Sequence, residues 1–317
     1  MRALVTGAAG FVGGHLIRYL LAETDLEIIG TIYRRQPEPS FPSVRVRLER
    51  IDLREEAAVA EVLARWQPDF ILHLAAQSFV PISWEHPWPT FEQNVLSQIN
   101  IFKGVLAANL AAKLLVVSSG EVYGMFDPAD LPLDEETPLR PSSPYGVSKV
   151  AQDLLGWQYH LSHHLHTVRV RPFNHIGPGQ NEMFVTSSFA KQVAGIESGR
   201  QLGPLRHGNL DAERDFTDVR DIVAAYWLIL NRGEPGQVYN VGSGRPVSIQ
   251  QVLKTFLDLA RVPISLAPDP HRMRPSDIPR IVCDAARLHQ ATGWTPAIPL
   301  PQTLADILDD WRQRIQV

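Results

Sequence analysis

Tyr145 and Lys149 stand four residues apart in Tyr145-Gly146-Val147-Ser148-Lys149. On a helix this spacing puts phenol and ammonium on one face, one turn apart. A free tyrosine titrates near pH ~10 and is a poor proton relay at neutrality. A neighbouring lysine cation favours the phenolate, so the pair is predicted to have a lowered phenol pKa and to act as an acid/base. Upstream, an apolar run over 114–117 leads into Ser118-Ser119-Gly120-Glu121. A strand over 114–119 would carry Ser119 to the carboxyl edge of a sheet, where ligands of open α/β folds bind. There its hydroxyl can hydrogen-bond a reacting oxygen.

A second constellation lies at the start of the chain. The apolar residues 3–5 and Thr6 run into Gly7-Ala8-Ala9-Gly10-Phe11-Val12-Gly13 and then a helical pattern. Gly7 allows the tight turn, Gly10 lets backbone approach a pyrophosphate, and Gly13 lets helix and strand pack closely. The helix N-terminus offers free N–H groups to the anion. At the end of the second strand an NAD enzyme would carry an acidic residue for the ribose, but this chain has Tyr33-Arg34-Arg35. A guanidinium suits a 2′-phosphate, so NADP(H) is favoured and NAD(H) is the alternative; the plainer reading of the two arginines is solvated loop charge. Asp52 is read either as reaching the adenine edge or as a helix cap before Arg54.

The elements that must position these groups are read from periodicity. Short strands are predicted over 3–6, 26–33, 44–48, 69–75, 114–119 and 167–172. Helices alternate with them over 11–21, 54–66, 89–109 and 144–160. This alternation predicts a parallel sheet covered on both faces. Later helices are predicted over 184–198, 219–231, 248–259 and 302–314. The last places Leu304, Ile307, Leu308, Trp311 and Ile315 on one face. A strand over 237–241 would return to the main sheet. The fold class is therefore Rossmann-type α/β, doubly wound and parallel, with a smaller discontinuous α/β substrate domain. The cofactor domain is expected over 1–172 plus about 217–243, and the substrate domain over about 173–216 plus 244–317.

The chain has 317 residues, 44% hydrophobic and 20% charged, enough for a packed core and unlike a disordered chain. Its formal charge of −4 argues against a nucleic-acid partner. The single cysteine, Cys283, excludes an internal disulfide and fits a reducing, cytoplasmic setting. No apolar run approaches the ~20 residues of a membrane span. His160, His163, His164 and His166 are read as a solvated helix end, and no metal site is expected.

The motifs resemble, in order along essentially the whole chain, the extended short-chain dehydrogenase/reductases that act on nucleotide sugars. They are Gly7-x-x-Gly10-x-x-Gly13, His73-Leu74-Ala75-Ala76, Ser119-Gly120-Glu121-Val122-Tyr123-Gly124, Tyr145-x-x-x-Lys149 and Arg171-Pro172-Phe173-Asn174. The resemblance implies that Tyr145 is the acid/base, that Lys149 also binds the nicotinamide ribose, and that Ser119 polarises the substrate. It places Phe11, Val12, Leu53, Leu74, Ala75 and Ala76 along the cofactor cleft, and it implies a homodimer through long helices, the Tyr145 helix among them. Ala75-Ala76-Gln77-Ser78, the run from Asn174 to Gln180, Phe184-Val185-Thr186, the run from Gly208 to Phe216 and Arg274-Pro275-Ser276-Asp277 resemble the GDP-mannose branch. By that likeness Ser78, Val185 and Lys191 line the substrate site and Asn174 and Arg214 meet the pyrophosphate. Arg274 and Asp277 approach the nucleoside. The plainer alternative is that Arg214 and Arg274 pair with Asp215 and Asp277.

That branch holds 4,6-dehydratases, which act on GDP-mannose, and reductases of GDP-4-keto-6-deoxy-mannose. The dehydratases carry a Thr-(Asp or Ser)-Glu trio where this chain has Ser119-Gly120-Glu121. Gly120 cannot donate a proton, and the segment after Arg35 lacks the longer insertion of those enzymes. The favoured reading is thus reduction of the C4 ketone to give GDP-D-rhamnose. Dehydration, with Glu121 taking part, is the alternative. An epimerase or a non-catalytic NADP-binding regulator ranks below both.

Overall fold

The computed structural model describes residues 1–37, 40–272 and 278–316. Six strands come first: β1 (Arg2–Thr6), β2 (Glu27–Ile32), β3 (Val46–Arg50), β4 (Phe70–His73), β5 (Lys113–Val117) and β6 (His166–Pro172). Short strands β7 (Asn174–Ile176), β8 (Leu205–His207) and β9 (Glu213–Asp218) precede β10 (Val238–Val241), and β11 (Pro246–Ser248) and β12 (Leu266–Pro268) follow. The main sheet has the order β3-β2-β1-β4-β5-β6-β10, and every neighbouring pair in it is parallel. The strand order reverses between β1 and β4, so the crevice beyond their carboxyl ends is the place for a ligand. β11, β9 and β7 make a small mixed sheet, and β12 pairs with β8.

The helices are α1 (Phe11–Glu23), α2 (Glu56–Trp66), α3 (Val80–Glu85), α4 (Pro87–Phe91), α5 (Ser97–Ala107), α6 (Pro144–His163), α7 (Val185–Glu197), α8 (Val219–Arg232), α9 (Ile249–Leu259), α10 (Ala286–Thr292) and α11 (Leu300–Gln316). The central strands β1, β2, β4 and β5 are largely apolar because both sides are covered, whereas the edge strand β3 is charged and partly exposed. Ala3, Val5 and Leu72 face Leu16, Ile17 and Leu20 of α1 and Ile222, Tyr226 and Ile229 of α8. Leu4, Ile71 and Leu114 face Val59, Val62 and Leu63 of α2 and Ile101, Phe102 and Val105 of α5. Each of the larger aliphatic or Phe side chains among them contributes roughly 1.5–3 kcal/mol. A separate apolar core joins Phe189 and Val193 of α7, Val252 and Phe256 of α9, Phe216 of β9, and Leu304, Ile307 and Leu308 of α11. Trp311 and Ile315 pack against it, so the face predicted for the last helix is the buried one.

Two expectations are corrected. The single helix over 89–109 is α4 and α5 joined by a π-helical turn, Glu92–Leu96. The extra residue per turn swings Asn94 inward. Its amide accepts from Gln77 N at 2.8 Å and donates to Gln77 O at 3.1 Å and to Ser148 Oγ at 2.9 Å. At the other end of α6, His164 takes a left-handed conformation with φ 58°. His166 is not part of the helix end; it opens β6. Among the described residues no cluster of His, Cys, Asp and Glu could hold a metal ion, and no helix is long and apolar enough to cross a membrane.

Candidate active site

β1 delivers the chain into the glycine turn at the switch point. Gly7 has φ +71°, a left-handed conformation that favours glycine, and its Cβ would sit 3.1 Å from the backbone of Ala75. A Cβ on Gly13 would run into the carbonyl of Gly7. Thr6 ties the two strand ends together. Its Oγ accepts from Leu74 N and Ala75 N, both at 3.0 Å, and bonds His73 Nδ1 at 2.9 Å. Gly10 caps α1 without a side-chain hydrogen bond, leaving the helix N–H groups for an anion. This cradle, which a side chain would fill, fits a dinucleotide pyrophosphate, with Phe11 and Val12 half-buried on its helix side.

Beyond β2, Arg34 and Arg35 are exposed, and Arg34 stacks over the Tyr33 ring with 5.0 Å to its centroid. Asp52 does not cap α2, whose N-cap is Glu55. Its carboxylate instead accepts from Arg54 Nη2 at 2.6 Å and from Arg54 N at 3.0 Å, and Arg54 holds it below the usual carboxylate range. Leu53 is buried, with its carbonyl accepting from Asn100 Nδ2 at 3.0 Å.

The acid/base candidates gather at the carboxyl ends of β4 and β5. Ser143 caps α6, its Oγ accepting from Gly146 N at 3.0 Å, and this starts the helix one residue before Tyr145. Ser119, Tyr145 and Lys149 are all buried. Ser119 Oγ accepts from Glu121 N at 3.2 Å, and its hydroxyl acts on the Tyr145 phenol. Lys149 Nζ donates to Val117 O at 2.8 Å and to Gln152 Oε1 at 2.7 Å, and lies 5.9 Å from the Tyr145 ring centroid.

The predicted lowering of the phenol is not what this arrangement gives. Burial pushes Tyr145 above its ordinary value, the Ser119 hydroxyl opposes this, and the Glu121 charge adds to the rise. Burial also pulls Lys149 down to about 7. Both groups sit where charge is poorly solvated, and the ammonium is directed first at Val117 and Gln152. Gly120 faces the Phe173 ring, which a Cβ there would approach to 3.3 Å. Glu121 is half-buried beside the phenol.

The residues assigned to the sugar nucleotide are more spread. Asn174 and Ser78 are exposed, and Val185 is half-buried at the start of α7. Lys191 forms an ion pair with Glu182 and lies over the Trp311 ring. Arg214 Nη1 donates to Glu213 O at 2.9 Å and Ile278 O at 2.8 Å. Asp215 turns the other way along β9, accepting from Ser243, Gly244 and Cys283. Arg274 and Asp277 lie outside the described residues. Residues that hold the site but that sequence reasoning missed are Thr6, Asn94, Gln98 and Gln152. Only Gln152 left a signal, its position one turn beyond Lys149 on the same helix.

A glycine turn at the switch point, a serine after β5 and a Tyr-x-x-x-Lys helix beside it define a Rossmann-type short-chain dehydrogenase/reductase. Residues 4–307 match the family model described as GDP-mannose 4,6 dehydratase, and the chain belongs to that family. It is 38% identical over 315 residues to the GDP-6-deoxy-D-mannose reductase of Pseudomonas aeruginosa, covering 99% of this chain and 98% of that one. It is 28% identical to a GDP-mannose 4,6-dehydratase of Vibrio cholerae, covering 96% of this chain and 92% of that one. Among solved structures, that of RMD from Pseudomonas aeruginosa complexed with NADPH superposes with a TM-score of 0.86 at 36% identity, covering 99% of this chain and 100% of that one.

Proposed function

We propose that this protein reduces the C4 ketone of GDP-4-keto-6-deoxy-D-mannose to GDP-D-rhamnose, using NADPH in preference to NADH. The observation that carries this reading is residue 120. Dehydration needs an acid beyond Tyr145, and here a glycine faces the Phe173 ring where such a side chain would stand. The full-length likeness to a GDP-6-deoxy-D-mannose reductase supports it. The nicotinamide cofactor, when bound, supplies the hydride. Tyr145 gives its proton to the ketone oxygen, and Ser119 and the Lys149 ammonium stabilise the alkoxide as it forms. A phenol kept neutral by burial is in the correct form to donate. Glu121 orients the sugar. Arg34 and Arg35 hold the 2′-phosphate, and Asn174 and Arg214 hold the diphosphate. With Arg274 and Asp277 they make residues 1–172 and about 217–243 a cofactor lobe, and the remainder a sugar lobe.

We also read the protein as a homodimer. Val147, Leu154 and Leu161 are 43%, 50% and 56% exposed, and their seven-residue spacing makes one apolar stripe along α6. The single cysteine supports a cytoplasmic setting. The test is absorbance at 340 nm with NADPH and either GDP-4-keto-6-deoxy-mannose or GDP-mannose. Loss of NADPH with the keto sugar alone supports the reductase. Conversion of GDP-mannose to the keto sugar without loss of NADPH contradicts it and makes Glu121 sufficient for elimination.

A further inference from the structure

Three helical side chains behind the candidate site form a closed set of hydrogen bonds. Gln98 of α5 and Gln152 of α6 are buried and 54 residues apart. Gln152 Nε2 donates to Gln98 Oε1 at 2.9 Å, and Gln98 Nε2 donates to the Gln152 backbone carbonyl at 2.8 Å. This pairing fixes which end of the Gln152 amide faces the site. Its Oε1 meets Lys149 Nζ at 2.7 Å, while Val117 O takes a second N–H at 2.8 Å. An ammonium has three donors. With two held by acceptors anchored in the core, the third has one direction left.

We propose that the Gln98–Gln152 amide pair is a positioning device for the site, holding Lys149 charged and aiming its remaining N–H at the cofactor cleft. The proposal rests on the reading of Lys149 given above and adds two residues that touch neither cofactor nor substrate. Among the described residues, none forms an ion pair with Lys149. His73 of β4 is uncharged at neutral pH, pulled to about 3 by burial and the nearby Lys149 charge. Tyr145 on the same helix stays a phenol, and Glu121 from the loop after β5 acts on that phenol. Asp153, also on α6, is taken up by Arg169 and Arg171. The π-helical turn and α5 contribute the amides of Asn94 and Gln98. A neutral acceptor on a buried ammonium favours the charged form, against the burial that pulls Lys149 to about 7.

The test is the pH dependence of NADPH binding, followed by tryptophan fluorescence without any sugar, alongside that of kcat/KM. Gln152→Glu keeps the shape and adds a carboxylate, so the alkaline limb of both profiles should move up by ~1–2 pH units. Gln98→Met frees the Gln152 amide to turn, so the limb should move down by ~0.5–1 unit. Opposite shifts in the two variants support the proposal. Limbs that stay in place or move in one direction overturn it, whatever happens to the rate. Because the binding profile needs no sugar, a wrong substrate assignment would show as absent turnover with the binding shifts intact.

Discussion

The parallel-sheet region and the region built on α7, α9 and α11 treat their polar groups in opposite ways. In the first, Ser119, Tyr145 and Lys149 are 8%, 7% and 4% exposed, and Lys149 is fixed by hydrogen bonds to Val117 O and Gln152. In the second, Asn174 is exposed, and Lys191 and Arg214 are half-exposed on short strands or a helix surface. The difference fits the two tasks proposed above. Moving a proton needs groups whose charge states are set by a dry, fixed surrounding. Holding a diphosphate, the task proposed for the second region, needs cations near the surface that can exchange a carboxylate or carbonyl partner for the anion. Pre-organisation is therefore costly in the first region and dispensable in the second.

This contrast makes a graded set of predictions. Tyr145→Phe should have the largest effect, lowering kcat by roughly 10²–10⁴-fold with NADPH affinity little changed, measured by steady-state kinetics and fluorescence titration. A variant that keeps its rate would remove the phenol from the chemistry. Asp153→Ala should come next. Asp153 is fully buried between Arg169 and Arg171, at 2.5 and 2.7 Å, and removing it strands two buried guanidinium groups beneath α6. The expected loss is about 3–5 kcal/mol by denaturant unfolding; an exposed-pair loss below about 1 kcal/mol would mean that α6 is not held this way. In the sugar region, Arg214→Met should raise KM for the GDP-sugar by roughly 10-fold or more, leaving kcat nearly unchanged. A fall in kcat at constant KM would place Arg214 in the chemistry and erase the contrast.

The smallest effect concerns acid. Burial, helped by the Lys149 charge, pulls His73 to about 3, below its unfolded value of ~6.5. The folded state thus binds fewer protons. The stability from His73 is fully present above about pH 6.5 and is lost as pH falls towards 3. Burial lowers His15 and His175 in the same direction. His73→Asn should flatten the fall of Tm between pH 7 and 4.5 by roughly 2–4 °C. An unchanged slope would show that the imidazole is not buried neutral.

The same contrast governs how much the sequence discloses. The glycine turn and the Tyr145 helix are legible because local rules make them: a strand period, a positive φ at Gly7, a Ser143 cap and an i, i+4 pair. β9, with Glu-Arg-Asp-Phe-Thr-Asp, is not, since charged residues hide a strand whose partners β7 and β11 are three residues long. The π-helical turn was hidden because Asn94 finds Gln77 and Ser148 only in the fold. The Gln98–Gln152 pair was hidden for the same reason. The direction of the Tyr145 shift was missed because sequence shows the neighbouring lysine but not the burial that acts on both groups. For Asp52 the sequence offers a helix cap or the adenine edge; the structure rules out the cap and pairs the carboxylate with Arg54.

The central claim is that the sugar's C4 takes hydrogen from NADPH and a proton from Tyr145. The most direct measurement follows the label: GDP-4-keto-6-deoxy-mannose is incubated with NADPH deuterated at either face of nicotinamide C4, and the product is read by NMR. The account predicts deuterium at sugar C4 from one of the two labelled faces, in GDP-D-rhamnose. It is contradicted if neither face labels the sugar while GDP-mannose, in heavy water, loses water and gains solvent deuterium at C5.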